Sequence, residues 1–323
     1  MTLSMTPGEA GARWPLIDAG RGAAILAMIV YHAVWDLGYF RFTSIDAEGD
    51  PAWRWFAHII AGTFLALVGV GLVLATRNGF RPRRYFRRLA IIVAAALLVT
   101  IGTYLVFPEA FVFFGILHFI AAASVLGLPF VRLPVLLTAI AAAACLAAPA
   151  FVSHPFFNEP GWWWLGLSTV RPATVDYVPL LPWFGVTLGG IAAARLLLAW
   201  RGETPWSTWR PRGLTGQGLV RAGRWSLPIY LVHQPILFGL AYLASTTLTP
   251  SAAMTVEEYL DRCTSACVLD GGNELACETQ CECDVRAMER AKILEHYLAG
   301  RLPDAEAERL PLIIGACRLT PPG

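Results

Sequence analysis

Long apolar runs, broken by short charged stretches, fill the chain up to about residue 246. Seven runs are long enough to cross a bilayer as helices, at about 17–39, 54–76, 86–107, 110–130, 133–152, 178–200 and 222–246. The fourth and fifth are joined by only a few residues, and the Ala-rich fifth has the least distinct ends. The pattern predicts an all-α, polytopic membrane helix bundle of about seven spans. From about Pro250 the pattern changes to a soluble, acidic, Cys-rich segment holding the only lysine, Lys292. The predicted division is therefore a membrane domain over 1–248 and an extracytoplasmic Cys-rich helical domain over 249–323.

The first apolar run is unlike the others because it carries Asp18, Arg21, His32 and Asp36. Ionisable groups in a span are costly and face protein or water, so each is a candidate for function. At about 100° per residue the four fall within roughly 60° on one helix face. The rise from Arg21 to His32 is about 16 Å, half a hydrocarbon core. A polar stripe thus runs from one membrane surface to mid-bilayer, as one wall of an active site would.

Composition agrees with a membrane class: 56% hydrophobic, 15% charged, mean hydropathy +0.54. A removable signal peptide is not expected, since the first run is long, charged and followed by further spans. The net charge of +2 says little, but its placement says more. Residues 77–88 hold six arginines, and Arg201, Arg210, Arg212, Arg221 and Arg224 lie between the last two spans. The alternate loops carry Asp46, Glu48, Asp50, Glu109, Glu159 and Asp176. Arg-rich short loops stay in the cytoplasm, which predicts a cytoplasmic N-terminus and, after seven spans, an outside C-terminus. The 77–88 loop is expected either to serve orientation and contact with anionic membrane lipid alone, or in addition to attract a polyanion such as coenzyme A. No nucleic-acid partner is expected.

Four cysteines of the tail, Cys263, Cys267, Cys277 and Cys281, follow C-x3-C-x9-C-x3-C, with Gly271-Gly272 midway. Each pair sits at i and i+4 on one helix face. A helical hairpin turning at the glycines would join Cys267 to Cys277 and Cys263 to Cys281, leaving Cys283 and Cys317 for a third bond. Six cysteines allow fifteen connectivities, so this is a geometric preference. A four-cysteine zinc site is the rival, favoured in a reducing compartment, whereas an outside tail favours disulfides. Cys145 reads as a small buried core residue.

The string from Ile17 to Phe40, IDAGRGAAILAMIVYHAVWDLGYF, resembles the first span of the heparan-alpha-glucosaminide N-acetyltransferase-like membrane proteins, part of a wider superfamily of transmembrane acyltransferases. In that span an Arg is followed eleven positions later by a His, the spacing of Arg21 and His32. Further matching segments are GTFLALVGVGLVLA, RRLAIIVAAALLVTIGTYLVFPEAFVFFGILHFIA, DYVPLLPWFGVTLGGIA and GRWSLPIYLVHQPILF, in order over about 15–246. The tail lies outside the resemblance. On that ground its removal is expected to leave transfer mostly intact, and a partner in the envelope is its expected role.

The resemblance implies a bacterial inner-membrane enzyme that moves an acetyl group from cytoplasmic acetyl-CoA to a sugar amine or hydroxyl of an extracytoplasmic saccharide. His32 would serve as general base on the acceptor or carry the acyl group. An asparagine stands at its position in the animal lysosomal branch, which favours the base. Asp36, one turn on, would orient or charge-balance the imidazole. Arg21 would hold a phosphate or the thioester end of the donor, with Asp18 as its partner. His118 is a second catalytic candidate, set against a purely structural hydrogen bond. His233, Gln234 and Tyr230 rank lower, and no metal site is assigned. Trp162, Trp163 and Trp164 read as an interfacial belt rather than a sugar platform, and Arg171 with Asp176 as an acceptor entrance or an exposed ion pair. A transporter or channel using the stripe as a solute or proton path is the alternative, though the chain shows no internal repeat.

Overall fold

The computed structural model describes residues 14–201, 208–248, 254–269, 272–300 and 302–318, and they form helices without a strand. The first seven helices are α1 (Pro15–Tyr39), α2 (Pro51–Thr76), α3 (Pro82–Val106), α4 (Ile116–Leu126), α5 (Val135–Val152), α6 (Leu180–Arg201) and α7 (Gly213–Arg224). Then come α8 (Ser226–Thr247), α9 (Val256–Leu269), α10 (Glu274–Arg290), α11 (Leu294–Leu298), α12 (Asp304–Ala307) and α13 (Leu310–Arg318). Six of them, α1, α2, α3, α5, α6 and α8, are long and apolar enough to cross a membrane. The fourth expected span is instead the short α4, preceded by an irregular stretch over 107–115 that opens on a turn. Pro108, Glu109 and Gly115 delay the helix, and Gly127 and Pro129 end it. The seventh splits at Trp225 into α7 and α8.

Two compact units divide the chain: the described residues of Met1–Tyr31 with Ala52–Pro235, and those of His32–Pro51 with Ile236–Gly323. In the first unit, helices meet where side chains are small. Cβ atoms added at Gly69 and Gly190 would strike the backbone of the facing helix, so α2 and α6 approach at backbone distance. The Thr187 hydroxyl adds a 3.2 Å bond to Leu65 O across this seam. Gly185 lets α6 lie as closely on α5 at Ala142. Leu65, Leu72, Phe119, Phe184, Leu188 and Ile191 fill the core around these seams. Leu98, Ile101, Leu105, Leu136 and Phe151 remain exposed, as on a surface that faces lipid.

Contacts within this unit order its ends. The Tyr85 hydroxyl, near the start of α3, donates to Ser124 O near the end of α4 at 2.8 Å. A Cβ at Gly127 would meet Leu72 of α2 and Ile191 of α6. Arg195 of α6 donates to the carbonyls of Phe130 and Leu133, just before α5. Gly20 and Arg21 of α1 lie beside Leu67 and Gly71 of α2. The start of α1, the 77–88 loop and α7 therefore share one end of the unit, and the short α4 still returns the chain from the far end to this one.

In the second unit the tail folds around Val285, Met288, Ile293 and Leu294, with Tyr259, Leu260 and Tyr297 against them. Three disulfides staple it, Cys263–Cys281, Cys267–Cys277 and Cys283–Cys317, which are the pairs preferred on geometric grounds. Among the described residues no cluster of three or more His, Cys, Asp or Glu is arranged to hold a metal. Gly272 donates its N–H to Cys267 O at 3.0 Å and has no room for a Cβ beside the Cys267–Cys277 sulfurs; Gly271 lies outside the described residues. Asn273 caps α10, accepting from the N–H of Leu275 at 3.1 Å.

Candidate functional site

α1 is one continuous helix through Asp18, Arg21, His32 and Asp36. Burial fixes which way the stripe faces. Asp18 is 4% exposed, Ile25 0% and Asp36 1%, and all three lie within about 20° of one another around the helix. Leu26, Val30 and Leu37, on the opposite side, are exposed. The charged stripe is thus the inward face of α1 and the lipid side is aliphatic, as the cost of a bare charge in hydrocarbon demands. His32, half-buried, stands one turn before Asp36.

Asp18 is the anchor of the stripe's first end. Arg21 Nη1 lies 3.6 Å from one carboxylate oxygen, and Arg224 Nε of α7 lies 3.4 Å from the other. Close approach makes this possible: Cβ atoms at Gly22 and Gly223 would each strike the other helix's backbone, so α1 and α7 touch there without side chains between them. Gly71 leaves room for the Arg21 guanidinium, since a Cβ there would lie 3.2 Å from Nη2. Arg77 stacks over the Trp14 ring at 5.1 Å. Two guanidinium groups thus converge on one carboxylate, and arginine is the side chain suited to a phosphate-bearing ligand. Sequence reading placed Arg224 with the loop arginines that set orientation and missed its pairing with Asp18. The available signal was Gly223 beside it, a residue that permits helices to touch.

His118 is held at the start of α4. Its Nδ1 accepts the Gly115 N–H at 3.3 Å, and its Nε2 lies 3.1 Å from Thr100 Oγ1. Thr100 donates onward to Val112 O at 2.7 Å. The chain of donors fixes the tautomer with the proton on Nε2, and His118 must give up a bond to take a second proton. Asp176 accepts the Ile116 N–H at 3.0 Å, so it caps α4 from a distant loop rather than forming an exposed ion pair. Burial raises its carboxyl above the usual range, partly offset by the Ile116 N–H. Burial likewise pushes the Tyr177 hydroxyl up to about 12, against the lowering effect of Arg171. Tyr177 donates to Trp163 O at 2.6 Å. Trp163 packs on Phe113 and Trp164 on Phe114, so these rings tie two loops together. His233 Nδ1 lies 2.7 Å from Tyr230 O, within α8.

The fold and the buried charged face define a polytopic helical membrane protein built around an ionisable first helix. The sequence profile described as heparan-alpha-glucosaminide N-acetyltransferase, catalytic, matches residues 13–235, and the chain belongs to that family. It is a membrane acyltransferase by membership, and the Cys-rich tail lies outside the match. No curated protein and no solved structure matches the chain.

Proposed function

We propose that the chain transfers an acetyl group from acetyl-CoA to an amine or hydroxyl of a saccharide on the far side of the bacterial inner membrane. The observation that carries this reading is the inward stripe on α1, with arginines at its first end and a histidine–aspartate pair about three to four turns on. Arg21, with Asp18 as its partner, binds the donor's phosphates or thioester end. His32 takes the proton from the acceptor while Asp36 steadies the imidazolium. As the acceptor nitrogen or oxygen bonds to the acetyl carbon, the carbon–sulfur bond breaks and the thiolate leaves to pick up a proton as free thiol. His118 serves in a supporting part once it releases Gly115 or Thr100.

The N-terminus is cytoplasmic, in keeping with the arginines gathered at the α1 start, the 77–88 loop and α7. The disulfides of the tail support an extracytoplasmic location for it. The test is transfer of labelled acetyl from acetyl-CoA to amino-sugar acceptors by the purified protein in lipid. His32→Ala should lower turnover by about 10²–10⁴ and leave donor binding largely intact. Arg21→Ala should weaken donor binding. Wild-type turnover in His32→Ala overturns the assignment.

A further inference from the structure

The second unit joins the last two turns of α1 to the Cys-rich tail through contacts that the family match does not foresee. Arg41 follows α1 in the left-handed region, at φ +60°, where a side chain is unfavourable unless its surroundings hold it. Its Nη1 donates to Tyr297 O at 2.8 Å and Leu298 O at 3.0 Å, and its guanidinium lies 5.7 Å from the centre of the Tyr297 ring. Those carbonyls end α11, where a cation is favoured, and Arg41 shares them with two backbone donors: the Gly300 N–H to Tyr297 O at 3.0 Å and the Met254 N–H to Leu298 O at 2.9 Å. Gly300, at φ +68°, makes room: a Cβ there would lie 2.7 Å from Arg41 Cδ.

A second arginine grips the same loop from α9. Arg262 Nη2 donates to Ser44 O at 3.0 Å while held by Glu258 at 2.8 Å. The loop is itself folded back on α1. Phe40 N–H bonds to Asp36 O at 2.9 Å, Phe42 N–H to Leu37 O at 2.7 Å, and Gly38 leaves space for Ile45 O. Trp35 Nε1, on the turn that carries Asp36, donates to Glu48 at 3.2 Å. An unbroken set of bonds therefore runs from the disulfide-stapled tail to the backbone carbonyl of Asp36.

We infer that the tail is a clamp on the C-terminal half of α1, and that Arg41 is a positioning residue for acyl transfer. It acts through the helix turns that carry Asp36 and His32, and in this it rests on the roles given to them above. The clamp replaces the expectation that the tail is dispensable for transfer.

The full-length protein in lipid tests this with Arg41→Gly, which deletes the side chain while suiting the left-handed backbone, and with Arg262→Ala. Two readouts are needed: acyl-transfer kinetics, and amide hydrogen exchange over residues 32–47. Arg41→Gly should lower kcat by about 10–100-fold, the scale for a reacting group displaced by about 1 Å, with the donor KM within about twofold. Exchange over 32–47 should quicken in the same variant, and Arg41→Lys should restore part of both. Unchanged exchange, or quickened exchange with wild-type kcat, overturns the clamp. The exchange result stands whether or not His32 is the base, whereas His32→Ala kinetics judge that role alone.

Discussion

Removing the disulfides one pair at a time, with serines, should destabilise the tail in a fixed order. In the loop-entropy account a cross-link stabilises by restricting the unfolded chain, more so for longer loops. Cys283–Cys317 closes a separation of 34 residues, for which the expected loss is about 4 kcal/mol. Cys267–Cys277 is nested inside Cys263–Cys281, with separations of 10 and 18. With the inner bond intact, the outer one closes only the remaining stretch of about eight residues, and its loss should cost about 2.5 kcal/mol. Losing the inner bond with the outer intact should cost about 2 kcal/mol, since the outer bond already confines both cysteines. The assay is a urea series on the full-length protein, with a brief protease pulse at each point and cleavage of the tail as the readout. A Cys283→Ser/Cys317→Ser variant that resists urea better than Cys267→Ser/Cys277→Ser would refute the reasoning.

Thr100→Val leaves the His118 N–H and Val112 O without their shared hydroxyl and should cost about 1–3 kcal/mol in urea unfolding, while Thr100→Ser should cost much less. Because burial raises the Asp176 carboxyl, the folded state holds its proton more tightly than the unfolded one. That stabilisation is complete at low pH and is lost as pH climbs through the raised value. Asp176→Asn, which keeps an oxygen for the Ile116 N–H, should therefore show a flatter pH profile of thermal stability above the ordinary carboxylate range.

Periodicity and spacing made much of this legible. The apolar runs locate six long helices, and a symmetric cysteine pattern about a glycine turn is enough to pair four thiols. The inward stripe follows from helical spacing alone, because the cost of bare charge in lipid leaves it one way to face. The fourth span was misjudged in length, since apolar content hid the effect of Pro108, Glu109 and Gly115 on backbone conformation. The contacts of Asp18 with Arg224, of Arg41 with Tyr297 and of Arg262 with Ser44 join residues more than 200 positions apart. No local pattern encodes such pairs. Arg41 gives no warning of its left-handed backbone, and arginines in loops read first as topology signals.

The length of α4 has a consequence for how the chain enters the membrane at all. Eleven residues rise about 16 Å, roughly half the hydrocarbon core, and the irregular stretch before them has peptide groups outside any helix that lipid cannot satisfy. In the finished protein those groups find partners: Val112 with Thr100 and Thr103 of α3, Ala110 with Val175, and Phe114 with Val178. Two of these partners are synthesised more than sixty residues later, after α5. During synthesis α4 cannot partition as an independent helix, so it must wait beside α3, in the insertion machinery or in water, until the loop before α6 emerges. Insertion of α4 is therefore expected to be completed only with that of α6, and substitutions at Thr100, Thr103 or Thr174, whose hydroxyl donates to Phe111 O at 2.9 Å, should register first as a loss of membrane-inserted protein.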